Sequence, residues 1–196
     1  MLKVNLKTNQ LIFTATIVYI VLSIAEFYLK ISQVAASNTI YYAYSIFMEA
    51  LYVLLIFYLI SILMFFGEKT EISTAVTMLI CIDILRFIAT EWPGKVLSYG
   101  LTPTLGILTL VAYIYLVVQF FKVKSSCISR PFRLLGLSFF AVMLIKSAIT
   151  IAFPLIADGI NQEFNNIFSL LIPLSILYIL KKATRLIKDK NIELTA

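Results

Sequence analysis

Residues 40–66, IYYAYSIFMEALYVLLIFYLISILMFF, carry a single charge, Glu49, in a run long enough to cross a bilayer. A hydrocarbon core about 30 Å thick takes about 20 apolar residues as an α-helix. The apolar residues run without alternation, which reads as a helix and not as a barrel strand, and a helix satisfies its own backbone polar groups inside lipid. Working outward, similar runs occupy residues 11–29, 72–90, 101–123, 132–157 and 164–180. Hydrophobic residues make up 61% of the 196 and charged residues 13%, with a mean hydropathy of +0.99. A soluble core cannot bury that much apolar surface, so the expected fold is an all-α polytopic transmembrane bundle of about six spans.

The third run is the weakest, because Asp83 and Arg86 each oppose insertion by about 2.5–3.5 kcal/mol near a helix centre. The loops argue for it nonetheless. If all six runs cross, one side receives Lys3, Lys7, Lys69, Lys122, Lys124, Arg130, Arg133, Lys181, Lys182, Arg185, Lys188 and Lys190, whereas the other receives only Lys30 and Lys95. The last outer connection, from Asp158 to Glu163, has two acids and no base. The excess of lysine and arginine predicts both termini in the cytoplasm of a bacterial inner membrane. Residues 1–182 then form one bundle and residues 183–196 a short basic tail, and the first run reads as a retained helix, since no cleavage pattern follows it.

Tyr41, Tyr42, Tyr44, Trp92 and Tyr99 fall at the expected outer interface. Pro103 and Pro131 are placed for first helical turns, whereas Pro154 and Pro173 fall inside spans and predict kinks, structural or hinge-like. The net charge of +6 suits lipid headgroups and topology, and no direct nucleic-acid binding is expected.

Chemistry is bounded by what the chain lacks. It has no histidine, and its two cysteines, Cys81 and Cys127, form no C-x-x-C pair. No nucleophile elbow, phosphate loop or dinucleotide fingerprint is present. No catalytic, cofactor or metal residues are assigned, and the chain is not expected to be an enzyme.

The positive signal is a set of ionisable residues inside the runs: Glu26, Glu49, Asp83, Arg86 and Lys146. Intramembrane charges are functional candidates by default. Counted along alternating helices, all five fall in the outer half, where they form either an ion-pair network that fixes helix packing or an ion or ligand site open to the outside. The inner loop and tail, with Lys122, Lys124, Arg130, Arg133, Lys181, Lys182, Arg185, Lys188 and Lys190, present either a lipid-binding surface or one for a soluble acidic partner.

In size, span number and basic inner ends the chain is similar to the substrate-binding subunits of energy-coupling-factor vitamin importers, although residues 11–29 lack their Ala-rich docking helix. The inner-loop sequence Arg130-Pro131-Phe132-Arg133-Leu134-Leu135, followed by two spans and the ending Lys190-Asn191-Ile192-Glu193-Leu194-Thr195, resembles small bacterial multi-pass membrane proteins, a resemblance that implies no activity. Abundant Ile, Phe, Tyr and Lys suit an AT-rich gene, as for a membrane component of a Kiwa-like phage-defence system, though no motif carries that likeness. The resulting expectation is a non-enzymatic sensor, anchor or scaffold that oligomerises with itself and docks a cytoplasmic protein. The alternative is a small-solute carrier or substrate-binding subunit that uses the outer ionisable cluster.

Overall fold

The computed structural model describes residues 2–31, 38–68, 71–91, 98–152 and 167–193. They form six helices: α1 (Leu6–Ile31), α2 (Asn38–Phe65), α3 (Glu71–Glu91), α4 (Ser98–Phe121), α5 (Ser129–Ala152) and α6 (Leu171–Glu193). Each helix packs on the next, and α6 returns to α1, so the bundle closes into a ring; α2 also touches α6 across it. Among the described residues, three stretches are long and apolar enough to cross a membrane: Leu6–Leu29, Ala43–Phe65 and Thr104–Phe121. A shorter apolar stretch, Glu71–Ile82, opens α3. The expected all-helical bundle is therefore present, with three helices long and apolar enough to span a membrane. Of the six runs read from the sequence, these three qualify on length and composition among the described residues.

Helix ends follow from local chemistry. The Asn5 side-chain oxygen accepts the Thr8 N–H at 2.8 Å, capping the start of α1. At the end of α2, Gly67 adopts φ +79°, which an L side chain resists. The Glu68 N–H then reaches the Leu63 carbonyl and the Gly67 N–H the Met64 carbonyl, both at 3.0 Å, closing a Schellman turn.

Three boundaries differ from the sequence reading. Pro103 lies inside α4, which already starts at Ser98. Near Pro173 the run is interrupted and not merely kinked: residues 167–168 are helical, 169–170 form a turn and α6 starts at Leu171, so this proline stands in a first turn, where its missing N–H has no intrahelical partner to lose. Pro154 lies outside the described residues. Finally, the segment read as a tail continues α6 through Glu193, because Ile176, Ile179, Leu180, Ala183 and Ile187 recur at helical spacing and are all buried. Ala183 and Ile187 belong to the core, as does α1's Ile12.

The surface divides the bundle into two zones. Large apolar side chains are exposed on α1 from Leu11 to Leu29, on α2 from Ile40 to Phe57, on α3 from Met78 to Leu85, on α4 from Ile107 to Phe121, on α5 from Leu134 to Leu144 and on α6 from Leu171 to Tyr178. At about 1.5 Å per residue the α1 and α2 stretches are each about 26–27 Å long. That nearly matches the hydrocarbon thickness, the dimension that a lipid-facing belt requires, and the zone is called the belt below. Past its lower edge the exterior becomes polar, with Lys7 and Gln10 on α1, Glu71, Thr74 and Thr77 on α3, Lys122 after α4, Arg130 and Arg133 on α5, and Lys181, Arg185 and Lys188 on α6 all exposed. Inside this base, α2 is buried without a break from Tyr58 to Leu63. A helix buried on all faces is surrounded by others, and here the surrounding segments are amphipathic.

Candidate functional site

The base is joined by two polar nodes. Asn9, fully buried, donates through Nδ2 to the Leu180 carbonyl at 2.9 Å and to the Thr184 hydroxyl at 2.7 Å. Its Oδ1 accepts the Tyr58 hydroxyl at 3.1 Å. One side chain thus ties α1, α2 and α6 together with its oxygen and amide group both in use, which is how a polar residue is tolerated in an apolar core. The second node is Glu68, whose Oε1 accepts the backbone N–H of Lys124 at 2.9 Å and that of Ser125. The α2–α3 and α4–α5 connections therefore meet at one end of the bundle. Asn9 and Thr184 bring the start of α1 and the last part of α6 to the same end.

The arrangement gathers the bases named from the sequence. Lys122, Lys124, Arg130, Arg133, Lys181, Arg185 and Lys188 are exposed there and Lys182 is half-buried. The Lys190 side chain lies outside the described residues. Rigid packing holds the surface in place: Phe120 lies against Phe132 and Phe139, with ring centroids 5.8 and 6.1 Å away. Gly136 permits the close approach, since a Cβ there would stand 3.2 Å from the Phe120 Cβ. The base thus carries a dense positive surface on segments whose inner faces are fixed.

The intramembrane set is placed only in part. Glu26 and Glu49, both half-buried, lie along the seam of α1 and α2. The Tyr44 hydroxyl donates to the Leu22 carbonyl at 2.9 Å and has the Glu26 carboxylate within hydrogen-bonding reach. Tyr19 stands within electrostatic reach of both carboxylates. Asp83 and Arg86 occupy the second half of α3, and Lys146 that of α5, but their side chains lie outside the described residues. What the structure assembles is two carboxylates with two phenols, Tyr19 and Tyr44, a seam whose phenols a search for charges overlooks. Asn9, Tyr58 and Glu68 were overlooked as well. The first two are uncharged, and Glu68 acts through backbone amides distant in sequence. Tyr19 falls a helical turn or two from Glu26, a spacing that could have signalled it.

Among the described residues no cluster of His, Cys, Asp and Glu could hold a metal ion. Cys81 and Cys127 are both free and exposed. Comparison with family models, curated proteins and solved structures gives no match.

Proposed function

We propose that this chain is a non-enzymatic multi-pass membrane protein with six crossings and both ends cytoplasmic, serving as an anchor or scaffold whose basic base docks an acidic soluble partner. The observation that carries this reading is the positive base: eight lysines and arginines of the α4–α5 loop, α5 and α6 stand on segments locked by Asn9, Glu68 and the Phe120 cluster. A preset charged surface favours fast, oriented docking of an opposite charge. The lipid belt leaves room for association between copies, as expected of a homo-oligomer.

The test is copurification from mild detergent. The wild type brings down an acidic soluble protein, and Arg185→Glu with Lys188→Glu loses it while membrane abundance stays the same. Both residues point outward, so the variant spares the core, whereas truncation after Lys182 would remove Ala183 and Ile187 from it. Unchanged copurification overturns the reading. Orientation has its own assay. An impermeant maleimide labels native Cys127 only from the cytoplasmic face and leaves Cys81, exposed within the lipid belt, unlabelled.

A second reading rests on the α1–α2 seam. Two carboxylates flanked by Tyr19 and Tyr44 offer an oxygen-rich surface at membrane depth, as a carrier of small cations would require. In that case Glu49→Gln abolishes function at normal abundance and charge reversal at Arg185 does not.

A further inference from the structure

A groove of about 490 Å³ runs down one face of α2, lined by Ala50, Val53, Leu54, Phe57 and Ile60. Leu2, Ser61 and Ser73 close its lower end. We propose that it holds one acyl chain of an anionic phospholipid of the leaflet next to the base, with the headgroup phosphate on Lys3 and Ser73.

Dimensions and polarity agree. From Ala50 to Ser61 the groove is about 16 Å long, at ~1.5 Å per residue. That is roughly half of a ~30 Å hydrocarbon core, which is one leaflet. Phe57 is the last exposed apolar residue of α2, so the groove crosses the edge of the lipid belt. Its upper part is apolar and faces lipid; its two hydroxyl residues sit below the edge, at headgroup level. The upper walls offer water no hydrogen-bonding side chain, so hydrocarbon and not water fills them.

Charge selects the headgroup. The Leu2 N–H donates to the Ser61 hydroxyl at 3.3 Å, which seats the amino-terminal arm across the groove's foot. Lys3, the next residue, is exposed. The nearest described acid along α3, Glu71, precedes Ser73 by two residues. On a helix it therefore faces nearly the opposite way and does not oppose a phosphate. An ammonium one residue from the lower end of an acyl-sized slot fits a phosphate-bearing lipid with net negative charge.

This inference rests on the membrane reading but not on partner docking. It is tested by native mass spectrometry of the whole chain, equilibrated in detergent with equal phosphatidylglycerol and phosphatidylcholine. The wild type retains one phosphatidylglycerol. Val53→Trp, which fills the groove from its exposed side, loses it; Ile107→Trp, a similar change on the lipid face of α4, keeps it. Lys3→Gln keeps a lipid but reduces the preference for the anionic one about fivefold. Equal retention of both lipids by the wild type, no retained lipid, or a Val53→Trp variant that still carries lipid would each overturn the proposal. So would a dimer that Val53→Trp dissociates, since it assigns the groove to a second copy. A parallel carbonate wash of membranes tests membrane integration separately, so its failure is distinguishable from failure of the groove.

Discussion

The base and the lipid-facing belt are built from the same helices on opposite physical terms. In the base, Tyr58, Ile62, Ile128 and Phe132 are at most 1% exposed, and polar side chains face out. Water drives that packing, because each buried apolar group leaves a solvent that excludes it. In the belt, Leu11 is 66% exposed and Ile107 64%. Lipid is as apolar as these side chains, so burying them against protein gains little and contacts depend on shape and hydrogen bonds. Tyr44 on the Leu22 carbonyl and the 2.6 Å contact of the Ser138 and Ser175 hydroxyls are contacts of that kind. The comparison teaches that stability and the preset basic surface reside in the base, while the belt is free to meet lipid, copies of itself or a solute.

The widest gap between the zones is expected for aromatic truncation. Phe132→Ala should cost about 3–5 kcal/mol, as for a fully buried aromatic, and sharply lower the thermal midpoint in detergent followed by circular dichroism. Phe140→Ala, 43% exposed toward lipid, should shift that midpoint little. Equal losses would break the division into two zones.

A smaller effect tests the Asn9 node. Asn9→Leu leaves the Tyr58 hydroxyl buried without its acceptor and should cost about 1–3 kcal/mol. Adding Tyr58→Phe removes the orphaned hydroxyl and should restore part of the stability in the same melts. A double variant no more stable than the single one would show that Asn9 acts through α6 alone.

Glu68 links two loops on the rim of the base, half-buried. Glu68→Ala should cost about 1–2 kcal/mol, below the full range for hydrogen bonds to a charged group because water screens the site. Amide exchange should quicken at Lys124 and Ser125 while α1 stays protected. Uniform quickening across the bundle would contradict a local role.

The finest comparison uses two glycines. A Cβ on Gly136 meets Phe120 at 3.2 Å, whereas one on Gly106 meets nothing within 4 Å. Gly136→Ala should therefore destabilise, its crowding cost of about 1–3 kcal/mol exceeding the helix-propensity gain. Gly106→Ala, exposed toward lipid, should stabilise by up to about 1 kcal/mol. Opposite signs in one melting assay sharpen the contrast, and matching signs remove it.

Much of the architecture was legible in the order of residues. Continuous apolar runs with charges in the gaps announce membrane helices, because length and hydropathy are local quantities, and the starts of α2 and α3 fall within two residues of the reading. The end of α6 was not legible. Arg185, Lys188 and Lys190 read as a tail when counted by charge, but Ala183 and Ile187 are buried in the core, and Thr184 meets Asn9 of α1. A local scan weighs the lysines and cannot see α1.

The sequence by itself determined an all-helical chain with segments long and apolar enough to cross a membrane and a marked asymmetry of positive charge between its gaps, since both depend on composition within a window of about 20 residues. Only the tertiary structure decided that Asn9 joins Tyr58 and Thr184, that Glu68 grips the loop at Lys124, and that Tyr19 and Tyr44 accompany Glu26 and Glu49. Those contacts pair residues as much as 175 positions apart. Their chemistry is ordinary amide, hydroxyl and carboxylate hydrogen bonding, which nearly any residue of those types can offer. What selects the partners is the closing of the ring, when α6 returns to α1 and the desolvated groups must find whichever donors and acceptors that geometry leaves within reach.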